Sequence, residues 1–96
     1  MKTVIATGPL PRGDLYVIQE IPFTMTYNSD DRAFVSDSLF HMYGTGRTLT
    51  EAIADLVTSL EVYFDIMEED RIRNDAAKAH FDYVSAFIRR TESPST

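Results

Sequence analysis

Leu49, Ala52, Ile53, Leu56, Val57, Leu60, Tyr63, Phe64 and Met67 follow one another at steps of three or one, which places them on one face of an α-helix for about five turns. A helix so apolar on one side is not stable alone in water, so the rest of the chain must cover it. Val62 and Ile66 add a second, narrower stripe that needs a cover of its own. Just ahead, Thr48 and Glu51 have the spacing of a capping box. The Thr48 hydroxyl is placed to accept from the third helical N–H, and the Glu51 carboxylate to reach back to the N–H of the cap.

The cover is expected from strands. From residue 15 to 27 the pattern alternates, with Phe23, Met25 and Tyr27 pointing one way and Thr24 and Thr26 the other. Pro22 has no N–H for a ladder and marks a strand start or an edge. The polar cluster at 28–31 reads as a turn. Residues 33–37 and 40–43 read as a second and a third strand, and their short connections favour an antiparallel meander. Gly8, Pro9, Pro11 and Gly13 predict an irregular arm over 1–13, with room for a short strand at 3–6.

Beyond the long helix, Ala77, His80, Phe81, Val84, Phe87 and Ile88 again have helical spacing, with Asn74 as cap and Asp75 in the first turn. One helix over 48–90 would be unusually long, so a break is expected near 69–74. The expected fold is a single α+β domain. It has a three-stranded antiparallel sheet packed by a long amphipathic helix within 14–70, a C-terminal helix in 71–92 and a polar tail at 93–96.

With 96 residues the chain can build one core. It holds no cysteine, which excludes disulfides and cysteine–histidine zinc sites. No apolar run reaches the ~20 residues of a membrane span. The first residues lack the apolar core of a secretory signal, so a cytoplasmic location is expected. A net charge of −6, from 15 acids and 9 bases, argues against sequence-independent binding to nucleic acid.

The charges are unevenly placed. Residues 48–70 hold Glu51, Asp55, Glu61, Asp65, Glu68, Glu69 and Asp70 with no base, whereas 71–90 hold Arg71, Arg73, Lys78, Arg89 and Arg90. Glu51/Asp55, Glu61/Asp65 and Asp65/Glu69 are like-charge pairs four apart, each costing roughly 0.2–0.5 kcal/mol on an exposed helix. Internal pairing and a solvated face offset by Arg71 and Arg73 explain this blandly. The sharper reading is an acidic surface for a basic partner, contacted through Asp55, Glu61, Asp65 and Glu69. A carboxylate metal site is the weakest reading, since nothing fixes the convergence it needs.

Gly44-Thr45-Gly46-Arg47-Thr48 invites a phosphate-loop reading, but neither the P-loop nor the dinucleotide spacing is present. The plainer reading gives the glycines to backbone geometry and close strand–helix packing. His80 lies in the apolar stripe of the last helix and is expected to be a partly buried packing residue. His41 should face opposite to Phe40 and Met42. The best enzyme reading joins His41, Asp37 and an anion held at 44–48. It lacks a visible pocket, so no catalytic residue, metal or cofactor is expected.

Taken together, FTMTYNSDDRAFVSDSLFHMYGTG, then Gly46, Thr48, Glu51, Ala52 and Ile53, then LVTSLEVYFDIMEE resemble the small domain of the HicB-like antitoxin family. The shared pattern is three strands, a Ser/Pro-Asp/Glu-x-Leu element, and Gly-x-Thr-x-x-Glu-Ala opening a long helix. Leu39-Phe40-His41-Met42 stands where the family commonly has proline-glycine, and one helix stands in place of a DNA-binding module. The resemblance implies a partial ribonuclease-H-like sheet and helix without catalysis. It further implies a protein that binds and neutralises a small basic toxin, typically a ribonuclease of a type II toxin–antitoxin pair. The alternative is an acidic, phage-type inhibitor or adaptor that masks a nucleic-acid-binding protein by charge mimicry. A homodimer is expected, because the second stripe and the sheet edges leave surface to be covered.

Overall fold

The computed structural model describes residues 3–27 and 32–90. The expected turn at 28–31 and tail at 93–96 lie outside the described residues. The fold is α+β, in the order β1 (Val4–Ile5), β2 (Gly8–Pro9), β3 (Leu15–Val17), β4 (Ile21–Tyr27), β5 (Ala33–Asp37), β6 (Tyr43–Gly46), α1 (Leu49–Asp70), α2 (Asp75–Ser85) and β7 (Ile88–Arg90). Among the described residues these make seven strands in two antiparallel sheets, in place of the one three-stranded sheet expected. The strands divide between two compact units, one formed by Met1–Ile5 and Ile21–Leu60, the other by Ala6–Glu20 and Glu61–Thr96.

In the first unit the strand order is β1-β4-β5-β6. The Cα partners Ile5↔Ile21, Phe23↔Asp37 and Val35↔Gly44 fix the register. Ile5, Ile21, Phe23, Ala33 and Val35 are buried on one face, as are Ala52, Leu56, Val57 and Leu60 from α1. The opposite face carries Val4, Pro22, Thr24, Thr26, Phe34, Ser36, Tyr43 and Thr45. Within the strands that face bears no charge, although 24 of the 96 residues are charged. The expected third strand at 40–43 falls later, at Tyr43–Gly46. The reason is Asp37: its buried carboxylate accepts the N–H groups of Leu39 (2.9 Å), Phe40 (2.5 Å) and Met42 (2.8 Å), holding 38–42 as a tight loop. His41 reaches a positive φ of 59° inside that loop.

In the second unit the strand order is β2-β3-β7. The arm expected to be irregular is mostly a hairpin. Pro9 sits on the edge strand, where a missing N–H costs nothing. The turn closes through Gly13 N–H to Leu10 C=O (2.9 Å), with Gly13 at φ 92°, a backbone shape suited to glycine. The alternation over 15–27 belongs to two strands in different sheets, parted at 18–20. Leu10, Leu15, Val17, Phe64, Val84 and Ile88 are buried in this unit.

The break between helices lies at 71–74, and the Asn74 side chain caps α2 by accepting the Ala77 N–H (2.8 Å). The expected helix through 71–92 stops at Ser85. Ile88–Arg90 instead pair with Leu15–Val17, because Ile88 completes the core from an extended backbone.

Candidate functional site

The strand–helix junction is packed solid. A side chain at Gly44 would place its Cβ 2.9 Å from Leu56 Cα, and one at Gly46 would stand 2.8 Å from Ala52 N. Both glycines therefore exist to let β6 lie directly against α1. The Thr48 hydroxyl accepts the Glu51 N–H (3.1 Å), as the capping box requires. The return bond differs from expectation: the Glu51 carboxylate takes the N–H of Arg47 (3.0 Å), one residue before the cap.

β6 lies at the end of its sheet, where backbone groups point outward. Asp55 accepts the Thr45 N–H (2.9 Å) and the Ser59 hydroxyl donates to the Tyr43 C=O (3.4 Å). Side chains one turn apart on α1 thus fasten two of the edge groups.

The four α1 acids expected to contact a partner have unlike surroundings. Asp55 and Glu69 are exposed. Glu61 is buried and accepts the Arg12 N–H (2.9 Å). Asp65 lies between two guanidinium groups, Arg12 (2.7 and 2.9 Å) and Arg90 (2.9 Å). Arg90 also binds Glu68 (2.7 Å) and Asp14 (2.8 Å), and Asp14 returns to Arg12 (2.7 Å). The Arg90 guanidinium carbon lies 5.5 Å from the centre of the Phe64 ring.

Two cations and three carboxylates therefore close into one clasp joining the hairpin, α1 and β7 of the second unit. Hydrogen bonds from Arg12, then from Arg90, hold the Asp65 carboxyl at about 2, below its ordinary 3.8. The Arg12 bond also lowers Asp14, while Asp65 and Asp14 raise Arg12, and Glu68 and Asp65 raise Arg90. The partners in the clasp are up to 76 residues apart, and no local spacing announces them. The only trace in the sequence is the excess of acids before residue 70 and of bases after it.

An open hollow of about 520 Å³ lies beside α2, lined by Arg71, Ile72, Asn74, Asp75, Lys78, Phe81 and Asp82. Its charges are largely satisfied. Lys78 pairs with Asp82 (3.1 Å), and Arg71 binds the Glu68 carbonyl while lying over the Phe81 ring.

His80, expected to be partly buried, is exposed, and its imidazole meets the Tyr63 hydroxyl. The buried residue of α2 is Val84, one turn further along the same side of the helix. His41 is also exposed. The oxygens of Asp37 already hold three backbone N–H groups, which leaves them poorly placed to orient an imidazole. Among the described residues, no group of three or more histidine or acidic side chains converges as metal ligands would. None of the described helices is long and apolar enough to cross a membrane. Against this geometry, no family model, no curated protein and no solved structure matches the chain.

Proposed function

We propose that the chain is a non-catalytic binding protein of the HicB-like antitoxin kind, acting in the cytoplasm on a small basic toxin of ribonuclease type. The observation that carries this reading is the strand–helix junction. Gly46, Thr48 and Glu51, which belong to the most characteristic element of the resemblance, each do a folding job there, as Gly44 beside them does, and the glycine loop is packed against α1. Support for a basic partner comes from the net charge of −6 and from Asp55 and Glu69, which remain exposed on α1. Opposite charge speeds encounter and adds specificity. Glu61 and Asp65 belong to the second unit's own framework in this reading, and the contact surface shrinks to the exposed acids.

The test starts with affinity capture from the native host, followed by assay of the captured protein on messenger RNA with and without added chain. A small basic ribonuclease that the chain silences supports the reading; a captured nucleic-acid-binding protein without such activity favours the adaptor. Asp55→Asn combined with Glu69→Gln removes two charges and keeps an acceptor for the Thr45 N–H. That variant should bind about tenfold more weakly at low salt, with a flatter salt dependence. Unchanged affinity and unchanged salt dependence would remove the acidic surface from the account.

A further inference from the structure

We propose that the charge-free outer face of the four-stranded sheet is a self-association surface, on which a second copy of the chain stacks face to face. Two cross-strand rows form its centre: Thr24, Ser36 and Tyr43, then Thr26, Phe34 and Thr45. Phe34 and Tyr43 are 37% and 59% exposed, and their rings stack with centroids 5.6 Å apart. The rest of both rows is hydroxyls.

The occupant follows from this chemistry. A hydroxyl both donates and accepts, and an aromatic ring packs on another ring, so this patch is complementary to itself. An acidic surface is not. Each copy carries −6, so two copies repel wherever their acids approach. The sheet face brings no like charge from within its strands. Nucleic acid is disfavoured for the opposite reason, since those strands offer no cation to a phosphate. Strand addition along β6 is hindered by Asp55 and Ser59. Arg32 and Arg47 lie just beyond the strands at one end, next to the paired Ala33 and Gly46. A two-fold axis lying in the interface and perpendicular to the strands keeps these cationic ends apart.

The size of the face sets the strength. Eight residues per copy are about a third of the ~20–30 a side in a standard interface, so the dimer is weak and reversible, with a dissociation constant in the tens of micromolar or above. Its salt response has a definite sign. Salt screens the repulsion between two anions, so association tightens as salt rises. A charge-steered basic partner responds in the opposite direction, which keeps failure of this proposal distinct from failure of the binding-protein reading.

Sedimentation of the full chain from about 10 μM to about 1 mM, at about 50 mM and about 500 mM salt, is the test. The expected result is a dimer fraction that rises with both variables, and a loss of about tenfold or more in association for Tyr43→Glu. Phe34→Ser, which adds no charge, should lose less. Circular dichroism verifies that both variants fold. Three results overturn the proposal: monomer alone at the highest concentration in high salt, a dimer that survives Tyr43→Glu, or a dimer that Val62→Glu abolishes and Tyr43→Glu does not. The last would assign association to the exposed stripe of α1.

Discussion

The first unit encloses Ile21, Val35, Leu56 and Leu60 between a sheet and the opening of α1, and its buried Asp37 satisfies backbone groups of its own loop. The second unit has a smaller apolar interior around Leu15, Phe64 and Ile88, and its hairpin, helix and closing strand are tied by guanidinium–carboxylate pairs that water reaches. One unit rests on packing and buried hydrogen bonds, which salt hardly touches. The other adds half-exposed charges, whose attraction falls with ionic strength. The lesson is that acids on one helix have different work on successive turns: Glu51 and Asp55 bind backbone N–H groups, while Asp65 and Glu68 bind arginines.

The largest loss of stability is expected for Asp37→Ala. It strands three N–H donors in or near the core and should cost roughly 3–5 kcal/mol in urea unfolding. A cost under about 1 kcal/mol would mean that the loop stands without its carboxylate. Gly44→Ala comes next, at about 2–3 kcal/mol, because the new methyl group meets backbone atoms of α1 that can yield only if the helix moves.

Arg90→Met keeps much of the stem over Phe64 and removes the clasp's shared cation. Solvent reaches this group, so the expected loss is only about 1 kcal/mol. Hydrogen exchange localises the effect: the Val17 and Ile88 amides should exchange faster while Phe23 and Val35 stay protected. Equal acceleration in both units would erase the distinction drawn above.

Protonating Asp65 alone has a smaller effect. Its carboxyl is held at about 2 in the fold against an ordinary 3.8, so it binds its proton less readily folded than unfolded. The stabilisation is complete above pH ~4 and fades as the pH falls toward 2. Wild type and Asp65→Asn should therefore differ in unfolding midpoint at pH 7 and converge near pH 2; a constant gap would mean that the carboxylate's charge is not what matters. The smallest effect is expected for Lys78→Ala, which removes an exposed pair four residues apart and should change stability by no more than about 0.5 kcal/mol.

Local patterns were legible in the sequence, and distant pairings were not. The apolar stripe and the Thr48 cap mark the start of α1, and Asn74 marks the start of α2 after a break, because caps and periodicity act within a few residues. Gly8, Pro9, Pro11 and Gly13 were legible as punctuation but not as a hairpin. A hairpin and an irregular arm use the same turn residues, and only β7, some 70 residues later, gives β3 its second neighbour. Phe87 and Ile88 fit a helical spacing equally well, and burial of Ile88 from an extended strand decided against it. The clasp was hidden for the same reason, since Arg12 and Asp65 are 53 residues apart. The Asp37 loop was in principle readable, as an acid followed within five residues by the N–H groups it binds.

The fastening of β6 has a consequence for synthesis. Residues 43–46 leave the ribosome before Asp55 and Ser59, and at ordinary elongation rates the interval is on the order of a second. In that interval the seam is open, and neighbouring nascent chains on one message can zip onto it. Once α1 coils, the seam is sewn shut by the chain's own next turn of helix, so crowding threatens this protein most while it is being made.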